Sequence, residues 1–160
     1  VEHKLASLDP FRRNYLVFGL NDHQVAKVAD LATEEILASG DPVFTLNEKN
    51  TDLFVVLEGH VTVYRSDGEP SEVVRPPGVL GELALVDNEP RCRAAYSDGF
   101  TRVARVPVKP LRRLIWDEKD LGIIVIANLA RNLGLRLADA LLRLDDQTSK
   151  AEDPWAKRPD

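Results

Sequence analysis

Between Glu34 and Pro107 the sequence falls into short segments rich in Val, Thr, Phe and Tyr: EEILA, PVFTL, DLFVVLEG, HVTVYRS, SEVVRP, RCRAAYS and FTRVARVP. Gly, Pro, Asp or Asn closes each one. That is the punctuation of an antiparallel meander, because β-branched and aromatic side chains fit a pleated surface while the closing residues fit turns. Seven or eight strands at this spacing restrict the core to a sandwich or barrel such as a jelly roll. Asp67-Gly68, between HVTVYRS and SEVVRP, predicts a two-residue hairpin turn, since both central positions of that turn favour positive φ.

Helical texture flanks this core. Leu16, Phe18 and Leu20 lead to Asn21 as an N-cap, and Val25, Val28, Ala29 and Leu31 recur at helical spacing, so a helix is predicted over 22–33. After Pro107, VKPLRRLIWDE reads as one helix and the stretch from Asp120 to Asp146 as a second, long one. In the long run Ile123, Ala130, Leu137 and Leu144 recur every heptad with Ile126, Leu133 and Ala140 as companions, an apolar seam of roughly 35 Å. Ile124, Leu135, Leu141 and Leu142 form another apolar face. The seam can bind a partner helix or simply pack on the β-core; the second face can do that packing instead, which favours a homodimer through 120–146. The polar tail SKAEDPWAKRPD lacks periodicity and reads as disordered. The expected partition is 1–33 helical, 34–107 β-core, 108–147 helical and 148–160 tail.

The size and polarity suit one globular domain: 160 residues, 44% hydrophobic and 29% charged. With 26 acidic against 21 basic residues and a net charge of −5, a broad phosphate-binding surface for DNA or RNA is excluded. The single cysteine, Cys92, excludes an internal disulfide framework and a cysteine-rich zinc site, and it fits a reducing compartment. The longest apolar run, Leu121–Ala127, falls far short of the ~18 residues of a membrane span, and no signal peptide opens the chain. A soluble, cytoplasmic protein is the expectation.

The stretch PPGVLGELALVDNEPRCRAA, Pro76 to Ala95, carries the chemistry. Gly81 and Glu82 open the short run ELALV, whose first backbone N–H groups lack intrahelical partners and can face an anion. Gly81 lets a ligand approach the backbone, and Ala84 is too small to block it. A carboxylate beside an anion site makes sense if it accepts from a neutral donor such as a ribose hydroxyl, the role open to Glu82. Arg91 begins the next segment, and its guanidinium can grip a phosphate with two N–H groups. Each residue also has a plainer use. Gly81 can simply make a turn, Glu82 favour a helix N-terminus, and Arg91 pair with Asp87 or Glu89. Their joint order within a β-rich chain favours nucleotide binding. Arg93 can share the face of Arg91.

At GELALVDNEPR the sequence resembles the phosphate-binding cassette of the cyclic nucleotide-binding domain family, found in bacterial activators, kinase regulatory subunits and ion channels. FGLND near Phe18, ASGDPVF at Gly40-Asp41 and LFVVLEGHVTVY around Gly59 extend the resemblance over most of the chain. It implies a mainly β fold with flanking helices: a cupin-like double-stranded β-helix, or jelly roll, with C-terminal hinge and lid helices. It also implies that Glu82 binds the ribose 2′-hydroxyl and Arg91 the cyclic phosphate. Gly81, Leu83 and Ala84 would line the sugar-phosphate, while Val63 and Val73 would face the purine. Three departures stand out. The stretch from Gly78 to Gly81 is one residue short, and NEKNTD lacks the usual turn Gly, although Asn tolerates the left-handed region. Cys92 stands where a Thr accompanies cGMP preference in some relatives, which leans toward cAMP. Arg136 and Leu137 stand where some relatives place hydroxyls against adenine, so Arg136 is expected to stack over the base.

Other functions fare less well. A metal-dependent cupin enzyme needs two or three His with a carboxylate, and His3, His23 and His60 are scattered. A DNA reader would need another ~60–80 residues after the long helix, and none is expected here. A degenerate domain kept only for interaction would not need Gly81, Glu82 and Arg91 together. The expectation is a cyclic nucleotide sensor, probed first with cAMP and then cGMP, with no cofactor, no metal and no catalytic residue.

Overall fold

Residues 4–151 are described in the computed structural model of the chain. Eight strands make two four-stranded antiparallel sheets. They are β1 (Thr33–Leu37), β2 (Pro42–Phe44), β3 (Leu53–Glu58), β4 (Val61–Tyr64), β5 (Pro70–Val74), β6 (Val79–Leu80), β7 (Ala94–Ser97) and β8 (Thr101–Val106). One sheet runs β1-β8-β3-β6 and the other β2-β7-β4-β5. Helices α1 (Asp9–Arg12) and α2 (Asp22–Ala29) precede the roll, and α3 (Val108–Asp117) and α4 (Lys119–Ala151) follow it. This is the jelly roll with flanking helices expected from the sequence.

The sequence LFVVLE explains how the layers join. Successive side chains of a strand point to opposite faces, so Leu53, Val55 and Leu57 enter a cluster with Phe11, Leu111, Leu121 and Leu129. Phe54 and Val56 turn the other way, into the space between the sheets, with Phe44, Val61, Val63 and Val103. A strand apolar on both faces can only be central. β3 is therefore covered by helices on one side and by the second sheet on the other.

The boundaries differ from the sequence reading in instructive places. Asn21 does cap α2, accepting from the Gln24 amide at 2.9 Å while Gln24 accepts from the Asn21 amide at 3.0 Å. The helix nevertheless ends at Ala29 and not at 33, because Thr33 pairs with Arg105 of β8. β6, unforeseen, is a two-residue strand that pairs Val79 and Leu80 with Val55 and Phe54. RCRAAYS becomes strand only from Ala94. The Asp67-Gly68 turn is a three-residue loop, closed by Gly68 N–H to the Arg65 carbonyl at 3.0 Å and Arg65 N–H to the Glu69 carbonyl at 2.9 Å. Only Gly68 there has positive φ, the geometry of a turn followed by a left-handed glycine.

α4 departs most. It continues through Ala151, four residues into the stretch read as a tail; 152–160 lie outside the described residues. The face packed on the core is neither predicted seam but a third one, Leu121, Val125 and Leu129. Of the heptad seam, Leu133 packs partly on that cluster, while Ile123, Ile126, Leu137 and Leu144 are exposed. Lys119–Ser149, with mean hydropathy 1.4 in its most apolar window, is long and apolar enough by composition to cross a membrane. The uninterrupted run Leu121–Ala127 is shorter because Asn128 and Arg131 break the apolar stretch without ending it.

Candidate functional site

An open cavity of about 820 Å³ lies between the inner face of the β2-β7-β4-β5 sheet, the segment 79–93 and the overhanging part of α4. At one end the chain turns at Gly81, with φ of 77°, into a 3-10 helix Glu82–Leu85. A Cβ at Gly81 would sit 2.5 Å from Arg91 Nη1 and 3.0 Å from the Asp52 carbonyl. Both the left-handed backbone and the close approach therefore require glycine. Ala84 and Leu85 root the short helix in the helix-side core, which leaves Leu83 facing the cavity, partly exposed.

Glu82 is only 4% exposed. Its Oε1 has no hydrogen-bond partner, although Arg136 Nη1 of α4 stands 3.2 Å away at ion-pair distance. Burial pushes its carboxyl above the usual range, while Arg136 works in the opposite direction. Nearby, the buried Tyr15 hydroxyl is also unpartnered, and burial together with the Glu82 charge pushes its pKa up.

Arg91 is 9% exposed. Its guanidinium lies 4.5 Å over the Phe44 ring, donates from Nη1 to the Gly81 carbonyl at 3.3 Å and from Nη2 to the Asp52 carbonyl, and leaves Nε buried without a partner. Burial lowers its pKa, and the Glu48 charge is the largest of the influences that oppose it. No ion pair to Asp87 or Glu89 is present among the described residues, so the surface-pair reading of Arg91 does not hold. The backbone is fixed as well: Arg91 N–H donates to the Glu48 carbonyl at 3.0 Å and Asn47 N–H to the Arg91 carbonyl at 2.8 Å. Asn47 has φ of 63° and takes the left-handed position in the NEKNTD turn that lacks glycine.

The remaining expected residues divide. Val63 is on the cavity floor, and Cys92 and Arg136 line it. Val73 does not: the β4–β5 register pairs it with Thr62 on the outer face, where it is 50% exposed. The alternation within SEVV was legible, but which phase faces inward depends on the register past the 66–68 loop. The inward neighbour of Val63 is Glu72. Arg93 lines the cavity too and donates to Ser71 Oγ at 3.2 Å.

Arg112 of α3 is a residue that no motif announced. Nη1 donates to Asn88 Oδ1 at 2.9 Å, Nε to the Leu85 carbonyl at 3.3 Å, and Nη2 to the carbonyls of Asp87, at 2.6 Å, and Ala84. It thus caps the C-terminal end of the 3-10 helix from the hinge side, the placement in which a cation best answers free carbonyls. Among the described residues no group of three or more His, Cys, Asp or Glu is placed to hold a metal. His60 lies 3.7 Å from Asp98 instead, and His3 falls outside the described residues.

The arrangement offers donors and an acceptor at one end of a cavity with an apolar floor, and comparison with known proteins gives it a context. The chain is 28% identical over 119 residues to the potassium channel KAT6 of Oryza sativa subsp. japonica, a match covering 71% of this chain and 20% of the channel. It spans a fifth or less of the length of the curated relatives it matches. The N-terminal domain of a transcriptional regulator from Streptomyces coelicolor A3(2) superposes with a TM-score of 0.70 at 29% identity, over 80% of this chain and 94% of that one. The catabolite activator protein of Thermus thermophilus does so with 0.74 at 25%, over 84% of this chain and 63% of that one. The sequence pattern of the cyclic nucleotide-binding domain matches residues 34–117, just over half of the chain and all of the 81–91 segment, and the chain belongs to that family.

Proposed function

We propose that this domain is a sensor that binds cAMP ahead of cGMP and reports it through α3 and α4. The supporting observation is a pair of buried, oppositely charged side chains, Glu82 and Arg91, each with a polar atom that makes no hydrogen bond at the same end of one cavity, the Glu82 atom facing only the ion pair with Arg136. A buried orphan polar atom is costly unless a ligand answers it. Arg91 has three N–H donors beyond the two engaged by the Gly81 and Asp52 carbonyls. In this reading those donors take the cyclic phosphate and Glu82 accepts from the ribose 2′-hydroxyl, with Gly81, Leu83, Ala84 and Cys92 around the sugar-phosphate. Arg136 leaves Glu82 to cover the base. Arg112 makes α3 follow any shift of the 3-10 helix, so ligand binding biases a two-state arrangement of the C-terminal helices. The role is regulatory and cytoplasmic, without cofactor or metal, and the exposed seam of α4 joins two copies.

Calorimetry of the chain with cAMP and then cGMP tests it. Saturable heat with cAMP at micromolar concentration is expected. No heat and no chemical-shift change from a folded sample would overturn the reading and leave a ligand-free interaction module.

A further inference from the structure

Cys92 is the single cysteine of the chain, so no internal disulfide can engage it. It follows Arg91, whose backbone N–H and carbonyl are both tied to the 47–48 turn. It precedes Arg93, whose Nη1 donates to Ser71 Oγ at 3.2 Å. The thiol residue is exposed, and it lines the cavity together with both arginines. At the same end Arg91 is only 9% exposed and keeps Nε without a partner, an independent sign that this end is built to receive a ligand. Because the backbone on the Arg91 side is pinned, a group carried on Cys92 Sγ stays at this end of the cavity.

A disulfide formed at an exposed cysteine is labile and regulatory in kind, not structural. We infer that Cys92 is a modification site: disulfide exchange with a small anionic thiol of the glutathione class caps Sγ and closes the cavity to cyclic nucleotide, so the domain senses its ligand only while Cys92 is reduced. In the exchange the Cys92 thiolate attacks one sulfur of the reagent disulfide. A new S–S bond forms, the old one breaks, and the departing thiolate takes up the proton that Cys92 gave up. Cys92 is oxidised and the reagent disulfide reduced, with no other electron donor or acceptor. The carboxylates of such a reagent have a cation at hand in Arg93, which is half-exposed and meets Glu72 only at 3.8 Å, too far for a hydrogen bond. This inference rests on the cyclic-nucleotide reading of the cavity.

The test treats the full chain with glutathione disulfide and follows it by intact mass and by calorimetry with cAMP. One glutathione per chain is expected, and dithiothreitol should remove it. The modified protein should bind cAMP about 10-fold or more weakly than the untreated protein, and reduction should restore the affinity. Adding cAMP at about ten times its Kd should slow the modification about 10-fold, in proportion to the unoccupied fraction. Treating Cys92→Ser should leave that variant's own cAMP affinity, whatever its value, where it was, which assigns the loss to this thiol. Circular dichroism melts distinguish a blocked site from an unfolded chain. Modified protein that binds cAMP as the untreated protein does, or that has unfolded, overturns this inference while the parent reading stands. So does a thiol that glutathione disulfide leaves free, or a modification rate indifferent to cAMP. Untreated protein that binds no cyclic nucleotide overturns both.

Discussion

The two halves of α4 carry the same kinds of residue and meet opposite surroundings. In the first half Leu121, Val125 and Leu129 are buried. Gly122 lies so close to α3 that a Cβ there would strike the Ile115 carbonyl. Asn128 Nδ2 donates to the carbonyls of Leu16 and Phe18 at 3.0 and 2.8 Å. Past Leu133 no leucine is buried; Leu135, Leu137, Leu141, Leu142 and Leu144 all face outward, and Arg136, Asp139 and Arg143 overhang the cavity. Apolar spacing shows that a face needs cover, but a small residue and an amide decided which face the core covers. Those two fix the helix in rotation, and the leucines of the second half follow.

The largest effect should separate the halves directly. Leu129 is 1% exposed and Leu137 61%. Leu129→Ala should lower stability by about 2–5 kcal/mol through lost burial and a residual cavity. Leu137→Ala in dilute protein should stay within about 0.5 kcal/mol. Urea unfolding at low concentration measures both, and similar losses would erase the distinction. Leu137→Glu should leave the dilute melt unchanged and, on the proposal that the free seam joins copies, lower the mass seen by light scattering in concentrated protein.

Next in size is a contrast between two arginines at the cavity. Arg91 is held on a rigid frame by Phe44, Gly81 and Asp52, whereas Arg136 stands on the free half of α4 and its side chain is 48% exposed. A pre-placed, charge-assisted contact is worth about 1.5–3 kcal/mol, so Arg91→Ala should weaken cAMP by roughly 10- to 150-fold. Arg136→Ala should cost less than about 10-fold, because a half-exposed guanidinium is screened by solvent and loses entropy on engaging. Equal losses by calorimetry would mean that the free half is as fixed as the cassette.

Arg112 joins the cassette to the anchored half. Its donors reach Ala84 and Leu85 of the 3-10 helix, and Asp87 and Asn88 just past it, from α3, which carries the exposed Trp116. In a Trp155→Phe background, cAMP should change Trp116 fluorescence. Arg112→Ala should remove most of that change while weakening affinity only by about 3- to 10-fold, the worth of a surface-accessible polar contact. An unaltered fluorescence response would show that α3 follows the ligand by another route.

What the sequence made legible has a physical pattern. The strands, the two-faced LFVVLE and the order Gly81, Glu82, Arg91 were readable because local alternation and residue chemistry decide them. Val73 was misplaced because its phase depends on the loop at 66–68, where three residues and not two separate the strands. The packing face of α4 was misread because leucine spacing outweighed Gly122 and Asn128, whose partners in α3 and near Leu16 are distant in sequence. Arg112 and Glu72 carried no local signal at all; one meets its carbonyls across 24 or more residues, and the other acquires its direction only from register with Val63.

Glu82 gives the smallest and most selective test, because it stands on the cassette while its counter-charge, Arg136, stands on the free half of α4. Burial raises its folded pKa above the unfolded value despite Arg136. Over the window between the two, the folded state keeps a proton that the unfolded chain has released, so stability falls as pH rises through it and stays reduced above it. Glu82→Gln removes the buried charge and keeps an acceptor. In ligand-free protein at neutral pH it should raise Tm by about 2–4 °C, the scale of 1 kcal/mol in a chain this size, and flatten the decline between the carboxylate range and neutrality. Arg136→Ala should do the reverse and steepen it, since the buried charge then loses the stronger of its two favourable arginine neighbours and keeps only Arg91. For the wild type, cAMP affinity should begin to drop on acidification at a pH above the ordinary carboxylate range, as Glu82 takes up its proton and loses charge as an acceptor; in Glu82→Gln that pH dependence should vanish. If the Tm–pH curves of Glu82→Gln and Arg136→Ala both superimpose on the wild type, the free half of α4 does not reach over Glu82 in solution, and the two halves differ only in burial and not in function.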